Sequence, residues 1–124
     1  MRGIIVFAHG SRVASANDAV RAVAAELARA GEFRVEAAFL ELGEPDLPGA
    51  AARLVEAGVE SITVIPYFLT LGLHMERDLP PLMETISRAY NGLPIAVTAP
   101  LDGHPALVQV LLDRAMSTTH SHLS

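Results

Sequence analysis

The chain has 124 residues, of which 51% are hydrophobic and 19% charged, and its formal net charge is −5. These values predict one compact domain with its own core and exclude an intrinsically disordered chain. The negative charge argues against a nucleic-acid-binding protein. Because the chain contains no cysteine, disulfides, thiolate metal sites and cysteine nucleophiles are excluded. No apolar run reaches the roughly 18–20 residues that span a bilayer, and the N-terminus does not resemble a signal peptide, so we expect a cytoplasmic protein.

Short apolar runs alternate with helical stripes along the chain. The run Ile4–Ala8 predicts a strand that is buried on both faces. Apolar residues at three- and four-residue spacing then predict a helix over 13–27. The segment from Ser15 to Asp18 resembles a capping box for this helix, and Gly31 is a natural end for it.

The same alternation continues to the end of the sequence. In chain order it predicts a strand over 35–40, a helix over 47–57, a strand over 61–65, a helix over 79–90, a strand over 95–99 and a helix that begins at Pro105. Asp46 and Asp78 are candidate N-caps of the second and third helices. The predicted buried stripe of the last helix consists of Leu107, Val108, Leu111, Leu112 and Ala115. We expect residues 1–116 to form a single domain and the polar residues 117–124 to be a disordered tail.

The order β-α-β-α-β-α-β-α predicts an α/β fold in which helices cover both faces of a parallel sheet. A four-stranded sheet wound in this way most simply has the order 2-1-3-4, as in a flavodoxin-like three-layer sandwich. The first and third strands are then neighbours, and the chain leaves them in opposite directions. Ligands bind at such a switch point, beyond the carboxyl ends of the strands.

Two histidines follow the two strands that flank this switch point. His9 comes directly after the first strand, and His74 lies in the long segment after the third. Two residues separated by 65 positions are therefore predicted to converge on one crevice, which is a stronger signal of function than either histidine alone. His104 precedes Pro105 and is expected to shape the start of a helix, whereas His120 and His122 lie in the polar tail.

The motifs around these histidines resemble a known family, the small sirohydrochlorin cobalt-chelatases, which are the short form of the class II chelatases. The resemblance covers residues 1–116. It is carried by His9-Gly-Ser-Arg12, Phe39-Leu-Glu41 with Pro45, Pro66-Tyr-Phe-Leu69-x-x-Gly72-x-His74, Asp78-Leu-Pro80 and Pro100-Leu-x-Gly-His-Pro105.

The resemblance implies a metal-inserting lyase that places a divalent ion into sirohydrochlorin, on the route to cobalamin or a related tetrapyrrole. It implies no organic cofactor, cobalt as the usual metal, and His9 and His74 as the residues that handle it. Nickel and iron also suit a pair of neutral imidazoles. Because a tetrapyrrole is large beside this domain, and larger chelatases of the class resemble two such domains joined, we expect a homodimer whose crevices face each other.

The chemistry of metal insertion explains why such a site would hold its ion with two histidines and few other protein ligands. A site with only two protein ligands can release its ion to the four macrocycle nitrogens, whereas a closed four-ligand site would retain it. Two pyrrole N–H protons must also leave, and imidazole, with an unperturbed pKa of about 6.5, can accept one near neutral pH. One nitrogen cannot do both at once, so which of His9 and His74 binds the ion and which accepts the proton stays open.

Other residues near the switch point are candidates for substrate binding. Glu41 follows the second strand and is either a third ligand or proton relay, or a solvated carboxylate. Ser11 and Arg12 precede the first helix, where anions are favoured, and could clamp the substrate's carboxylates or simply be surface residues. An apolar wall for the macrocycle is expected from Tyr67, Phe68 and Leu69, with Leu71 and Leu73, although some of these must belong to the core.

Two other functions fit parts of the pattern. A histidine phosphatase also has a His-Gly pair after its first strand, but there an arginine precedes the histidine, and here that residue is Ala8. A non-catalytic metal or tetrapyrrole carrier would use the same crevice and the same ligands. Repeated turnover would distinguish an enzyme from a carrier.

Overall fold

The computed structural model describes residues 1–118, in which strands and helices alternate strictly. The elements are β1 (Arg2–Ala8), α1 (Ala14–Ala30), β2 (Phe33–Phe39), α2 (Leu47–Glu56), β3 (Ser61–Pro66), α3 (Leu73–Ala89), β4 (Ile95–Val97) and α4 (Pro105–Met116). All eight predicted elements are present. The expected tail histidines, His120 and His122, lie outside the described residues, so the predicted disorder of the tail stays a prediction. Within residues 1–118 no helix is both long and apolar enough to cross a membrane.

The four strands form one parallel sheet in the order β2-β1-β3-β4. In the centre, Ile4 of β1 pairs with Val35 on one side and with Thr63 on the other. Because β1 and β3 are neighbours, the chain leaves them toward opposite edges of the sheet. The α/β fold, the strand order and the switch point expected from the sequence are therefore confirmed.

The central strand β1 contributes to the core on both faces of the sheet. Ile5 and Phe7 pack with α2 and α3 on one face, whereas Val6 and Ala8 pack with α1 on the other. All four side chains are at most 5% exposed. Burial on both faces explains why this strand is a continuous apolar run rather than an alternating one.

The ends of the first two helices agree only partly with their predicted caps. Asp46 caps α2 as expected, since its carboxylate accepts a hydrogen bond from the backbone of Gly49 at 2.9 Å. Gly31 ends α1, where its N–H donates to the carbonyl of Leu27. The predicted capping box at the start of α1 is wrong. Helix α1 already begins at Ala14, one residue before Ser15, and no side chain caps it.

Helix α3 begins six residues earlier than predicted, at Leu73, and runs through Pro80 and Pro81. Asp78 therefore lies inside the helix and does not cap it. Proline removes a backbone donor, which is why the sequence predicts a break here. Pro80 and Pro81 cannot donate to the carbonyls of residues 76 and 77, and both of these residues lie on the exposed part of the helix. Burial of the Leu79 side chain in the core, directly before the prolines, offsets the loss of these two hydrogen bonds.

Helix α4 begins at Pro105 as predicted, and His104 caps it: the ring nitrogen Nδ1 accepts a hydrogen bond from the backbone of Ala106 at 3.0 Å. The predicted burial of its apolar stripe is wrong, because no residue of α4 is buried. The stripe has the correct helical spacing, but none of the elements described between residues 1 and 118 buries it.

Candidate functional site

The backbone holds the segments after β1, β2 and β3 in register beyond the ends of the strands. The N–H groups of Leu40 and Glu41 donate to the carbonyls of Ala8 and His9, at 2.9 and 3.1 Å. On the other side, the N–H of Tyr67 donates to Phe7 at 2.7 Å. These bonds fix the position of His9 at the switch point between neighbouring strand ends.

Gly10, next to His9, is required by this close approach. Its φ of +93° is a conformation that other residues rarely adopt. A Cβ atom at this position would lie 1.7 Å from the carbonyl oxygen of Glu41. Only glycine therefore allows the loop after β1 to lie against the loop after β2.

Asn17, on the first turn of α1, joins the same two loops. Its side-chain oxygen accepts a hydrogen bond from the N–H of Ser11 at 2.9 Å, and its amide donates to the carbonyls of Ser11 and Leu42, each at 2.9 Å. The side chain is 7% exposed. With both of its polar atoms satisfied, Asn17 is a structural clamp that positions the residues beside His9.

His74 lies on the first turn of α3 rather than in a loop, and it shares one cavity with His9. The cavity has a volume of about 200 Å³. Its other lining residues are Leu40, Phe68, Thr70, Leu71, Gly72 and Met75. The predicted convergence of the two histidines on one crevice is therefore seen, although a helix and not a loop presents the second.

An aromatic chain connects the ring of His9 to the core. The rings of His9 and Phe68 meet edge to face with centroids 4.9 Å apart, and Phe68 in turn meets Phe7 at 5.7 Å. Phe68 is half-buried, whereas Phe7 is fully buried. The strand β1 thus supports His9 through Phe68, and the His9 ring remains exposed to an incoming ligand.

Arg77 lies one turn after His74 on α3, and its guanidinium contacts the imidazole. The distance from Nη2 of Arg77 to Nδ1 of His74 is 3.1 Å. A guanidinium can only donate hydrogen bonds, so Nδ1 must be the acceptor and the ring proton must lie on Nε2. In this arrangement neither ring nitrogen of His74 has a free lone pair for a metal ion.

The predicted anion-binding residues take different positions. The hydroxyl oxygen of Ser11 accepts a hydrogen bond from the N–H of Val13 at 3.0 Å, which shapes the turn before α1. Arg12 is exposed beside it. Ser11 is therefore a turn residue in this state, while the side chain of Arg12 can reach an anionic ligand.

Glu41 does not line the cavity of the two histidines. Its side chain borders a neighbouring, more open cavity of about 420 Å³, together with Glu44, Asp46 and Arg53. Leu40 is the one residue that lines both of these cavities. The structure thus places Glu41 beside the histidine site rather than in it.

The predicted apolar wall divides into core and surface residues. Phe68 and Leu71 pack against the core, whereas Tyr67 and Leu69 are exposed, the latter by 62%. The carbonyls of Phe68 and Leu69 accept hydrogen bonds from the N–H groups of residues 101 and 102, at 2.9 and 2.8 Å. The segment that leads into α4 therefore fixes the outer edge of the site.

Two residues that shape the site were missed from the sequence, Asn17 and Arg77. Asn17 was interpreted as part of a capping box, and its contact with Leu42 spans 25 positions. Arg77 follows His74 at the i+3 spacing of a helix, so extending the helix past the prolines would have revealed the pair. Among residues 1–118 no group of three or more His, Cys, Asp or Glu side chains is arranged to hold a metal ion.

An exposed pair of histidines at the switch point of a parallel α/β sheet defines a class of protein that binds its ligand between the carboxyl ends of two strands. The family model named CbiX matches residues 3–118 of the chain. The chain therefore belongs to the CbiX family.

Similarity to individual proteins agrees with this assignment. The chain is 34% identical over 115 residues to the sirohydrochlorin cobaltochelatase of Sulfolobus acidocaldarius, a match that covers 93% of this chain and 90% of that protein. It is also 34% identical over 113 residues to the chloroplastic sirohydrochlorin ferrochelatase of Arabidopsis thaliana, which covers 90% of this chain but only 50% of the plant protein.

The fold is shared with a solved structure of greater length. The sirohydrochlorin chelatase SirB of Bacillus subtilis subspecies spizizenii, in complex with cobalt, superimposes with a TM-score of 0.83 at 25% sequence identity. The match covers 93% of this chain and 50% of the SirB chain. The chain thus spans nearly the whole of one relative and about half of two others.

Proposed function

We propose that this protein is a sirohydrochlorin chelatase, which inserts a divalent metal ion into the macrocycle and needs no organic cofactor. The observation that carries the proposal is the single cavity lined by His9 and His74 at the switch point of the sheet. Membership of the CbiX family and the similarity to a cobaltochelatase over nearly the full length of both chains support it.

Cobalt is the metal we propose first. The relative from Sulfolobus acidocaldarius is named a cobaltochelatase, and the SirB structure described above is a complex with cobalt. The plant relative is named a ferrochelatase, and SirB from Bacillus subtilis has also been solved with Fe3+. Imidazole nitrogens suit Co²⁺, Ni²⁺ and Fe²⁺ alike, because all three are borderline ions. A competition assay in which the three ions are offered together would identify the preferred one.

The proposed reaction exchanges one metal ion for two protons. The ion leaves the imidazoles of His9 and His74 and bonds to four macrocycle nitrogens, and the two pyrrole nitrogens lose their protons to imidazole or water. With only two protein ligands, the ion keeps open coordination positions that the macrocycle can occupy. These open positions favour transfer of the metal ion to the macrocycle over its retention by the protein.

The contact between Arg77 and His74 suggests an order of events. In the substrate-free protein Arg77 occupies Nδ1 of His74, so the ring of His9 is the first to offer a lone pair. Sirohydrochlorin carries several carboxylates, to which a guanidinium binds more strongly than to a neutral imidazole. We infer that the substrate draws Arg77 away and frees His74 to bind the ion or accept a proton.

The rim of the cavity supplies the proposed substrate contacts. Arg12 and Arg77 are exposed cations for the carboxylates, and the exposed side chains of Tyr67 and Leu69 offer apolar surface to the ring. We assign Phe68 to the support of His9 rather than to direct stacking, because its ring already lies against two others. Backbone amides beside Ser11 would add to the anion site, and Glu41 would act from the neighbouring cavity as a proton relay to solvent.

The size of the cavity supports a homodimer. Pockets that enclose a small-molecule ligand have volumes of about 300–1,000 Å³, and a tetrapyrrole is a large ligand. The cavity of about 200 Å³ can hold only the metal-facing part of the macrocycle. A second copy facing the first would cover the remainder of the macrocycle.

The cytoplasmic location is likewise part of the proposal, and cell fractionation would check it.

The proposal is tested by following the absorption spectrum of sirohydrochlorin during metal insertion. We expect the protein to convert many equivalents of substrate with Co²⁺. His9→Ala and His74→Ala should each lower the enzymatic rate by roughly 10²-fold or more, because each removes a group that handles the ion or a proton. Conversion that stops at one equivalent would instead indicate a carrier.

A variant of a histidine outside the cavity is the control for any general effect of removing an imidazole from the protein. His104→Asn removes a ring that lies outside the cavity and keeps a side chain that can cap α4. Its insertion rate should stay within about twofold of the parent rate. Near-normal rates in both His9→Ala and His74→Ala, with folding intact by circular dichroism, would contradict the proposed mechanism.

A further inference from the structure

Leu42, on the loop after β2, has a backbone conformation that leucine rarely adopts. Its φ is +58°, in the left-handed region. Among residues 1–118 the other non-glycine residue with a positive φ is Asn91. Asparagine tolerates this region because its short polar side chain can hydrogen-bond to the nearby backbone, whereas leucine has no such compensation. The conformation of Leu42 is therefore strained and must be maintained by contacts with the rest of the fold.

Two side chains of helix α1 maintain this conformation. The amide of Asn17 donates to the carbonyl of Leu42 at 2.9 Å, and Nη2 of Arg21, one turn further along the helix, donates to the carbonyl of Glu44 at 2.9 Å. The guanidinium of Arg21 also lies over the ring of Phe39, 5.0 Å from its centroid. A strained residue persists only when its surroundings fix it in this way, and such residues cluster at functional sites.

The side chain of Leu42 contributes little to the fold in return for this strain. It is 52% exposed, and among residues 1–118 it belongs to neither of the two core clusters. A glycine at this position would adopt the same φ without strain, and little buried apolar surface would be lost. The strain and the exposure together indicate that the leucine side chain serves a ligand rather than the fold.

Leu42 lies beside the cavity of the two histidines, on the side of α1. The amide of Asn17 that binds its carbonyl also binds the carbonyl of Ser11, so the loops after β1 and β2 meet at this point. The N–H of the residue before Leu42 donates to the carbonyl of His9 at 3.1 Å. Leu40, two residues earlier, lines the cavity itself and is 44% exposed. The loop after β2 thus presents two exposed leucines beside His9.

We propose that Leu42 is a binding residue for the macrocycle, whose flat ring packs against it when the metal-facing part enters the cavity. The cavity of about 200 Å³ leaves the rest of a tetrapyrrole outside, over the surrounding loops. There Leu42 offers apolar surface on the α1 side of His9, as Tyr67 and Leu69 do after β3. A side chain fixed before binding loses little entropy on binding, so the strain in the free protein favours affinity. The inference rests on the proposed function and adds a residue to its substrate site.

Two variants separate the side chain of Leu42 from its backbone conformation. Leu42→Ala removes most of the side chain and keeps the strain, whereas Leu42→Gly removes both. We expect each to raise the dissociation constant of metal-free sirohydrochlorin, measured by the fluorescence of the macrocycle, roughly fivefold. KM should rise by the same factor while kcat changes less than about twofold, because the lost contact is equal in the ground state and the transition state. Only Leu42→Gly should also raise Tm, by roughly 2–5 °C.

Two further variants are the controls. Leu42→Met keeps an apolar side chain of similar size, so it should bind sirohydrochlorin within about twofold of the parent protein. Asn91→Gly makes the same backbone change at an exposed position after the end of α3, whereas the cavity lies at the start of that helix. It should leave the affinity for sirohydrochlorin unchanged.

Three outcomes would overturn the proposal. An unchanged affinity in Leu42→Ala would show that the side chain does not contact the macrocycle. An affinity lost in Leu42→Gly alone would show that the loop conformation matters and the side chain does not. A fall from two chains to one in the mass of Leu42→Ala, measured by light scattering, would assign the side chain to an interface between copies.

The result is separable from that of the proposed function, because the affinity for sirohydrochlorin is measured without a metal ion. A protein that binds sirohydrochlorin through Leu42 but inserts no metal would contradict the function and support the inference. Normal metal insertion with an unchanged KM in Leu42→Ala would contradict only the inference.

Discussion

Arg77 and a divalent metal ion compete for the same side chain, that of His74. The guanidinium occupies Nδ1 at 3.1 Å, and the contact is exposed. Exposed contacts of this kind contribute about 0.2–1 kcal/mol. Arg77→Ala should therefore raise the affinity of the substrate-free protein for Co²⁺ by roughly threefold, measured by isothermal titration calorimetry. The same variant should raise KM for sirohydrochlorin, because it removes a cation that we expect to bind the substrate's carboxylates.

Two controls separate this effect from a general change of charge. Arg88→Ala removes a cation from the same helix, where it pairs with Glu84 and lies outside the histidine cavity. It should leave the affinity for Co²⁺ unchanged. In a His74→Ala background, Arg77→Ala should give no gain in affinity. An equal gain with and without His74 would rule out competition for the imidazole.

Gly10 should be the least replaceable glycine of the chain. In Gly10→Ala the new Cβ would collide with the backbone of Glu41, so the loops after β1 and β2 would have to separate. Gly58 is the matched control, since its φ of +88° is similar but no atom lies within 4 Å of the Cβ position. We expect Gly58→Ala to cost about 1–2 kcal/mol. Gly10→Ala should cost at least about 2 kcal/mol more, as measured by urea unfolding. Similar costs for both variants would show that the loops yield easily.

At the level of single residues, the two histidines at the strand ends could be predicted from the sequence, whereas the residue that joins the loops, Asn17, could not. His9 and His74 could be placed together because strand order alone brings the ends of β1 and β3 side by side. The clamp of Asn17 could not be predicted, because it depends on how closely the loop at Leu42 approaches α1. No periodicity or spacing in the chain encodes that distance.

Elements were predicted well where burial and periodicity agree, and poorly where they conflict. The strand β1 is apolar throughout and buried throughout, and its predicted end at Ala8 is confirmed. Helix α3 contains two prolines, and local propensity predicts a helix that starts only at Leu79. Tertiary packing of Leu79, Met83 and Ile86 overrides that preference, so the helix extends back to Leu73. As a result His74 has a fixed helical position next to Arg77 rather than a loop position.

For the whole molecule, the alternation of strands and helices was sufficient to predict the sheet order, because few windings of four parallel strands avoid left-handed crossovers. It was not sufficient to predict where α4 packs. The apolar stripe of a helix shows that a surface will be covered, but it does not say whether the cover comes from the same chain or another. Among residues 1–118 no residue of α4 is buried, and this exposure of an apolar stripe in the folded chain raises the question of a second copy.

The stability of the whole molecule should depend on protein concentration if the protein is the homodimer proposed above. Unfolding then separates the chains, so mass action raises the midpoint of thermal unfolding, Tm, as the protein becomes more concentrated. For a dimer of this size we expect Tm to rise by about 5 °C when the concentration is increased a hundredfold. Leu111 lies in the apolar stripe of α4 and is 63% exposed, so we expect Leu111→Glu to place a charge between the copies, to lower Tm and to abolish most of this dependence.

Val23→Glu is the matched control, because it introduces the same charge at an exposed apolar position on a different helix, α1. It should preserve the rise of Tm with concentration, since it leaves the apolar stripe of α4 unchanged. Differential scanning calorimetry of the parent and both variants, over the same hundredfold range, measures the three slopes. A parent Tm that does not move with concentration would mean that each chain is stable alone, and the apolar surface of α4 would then be exposed to water in the folded protein.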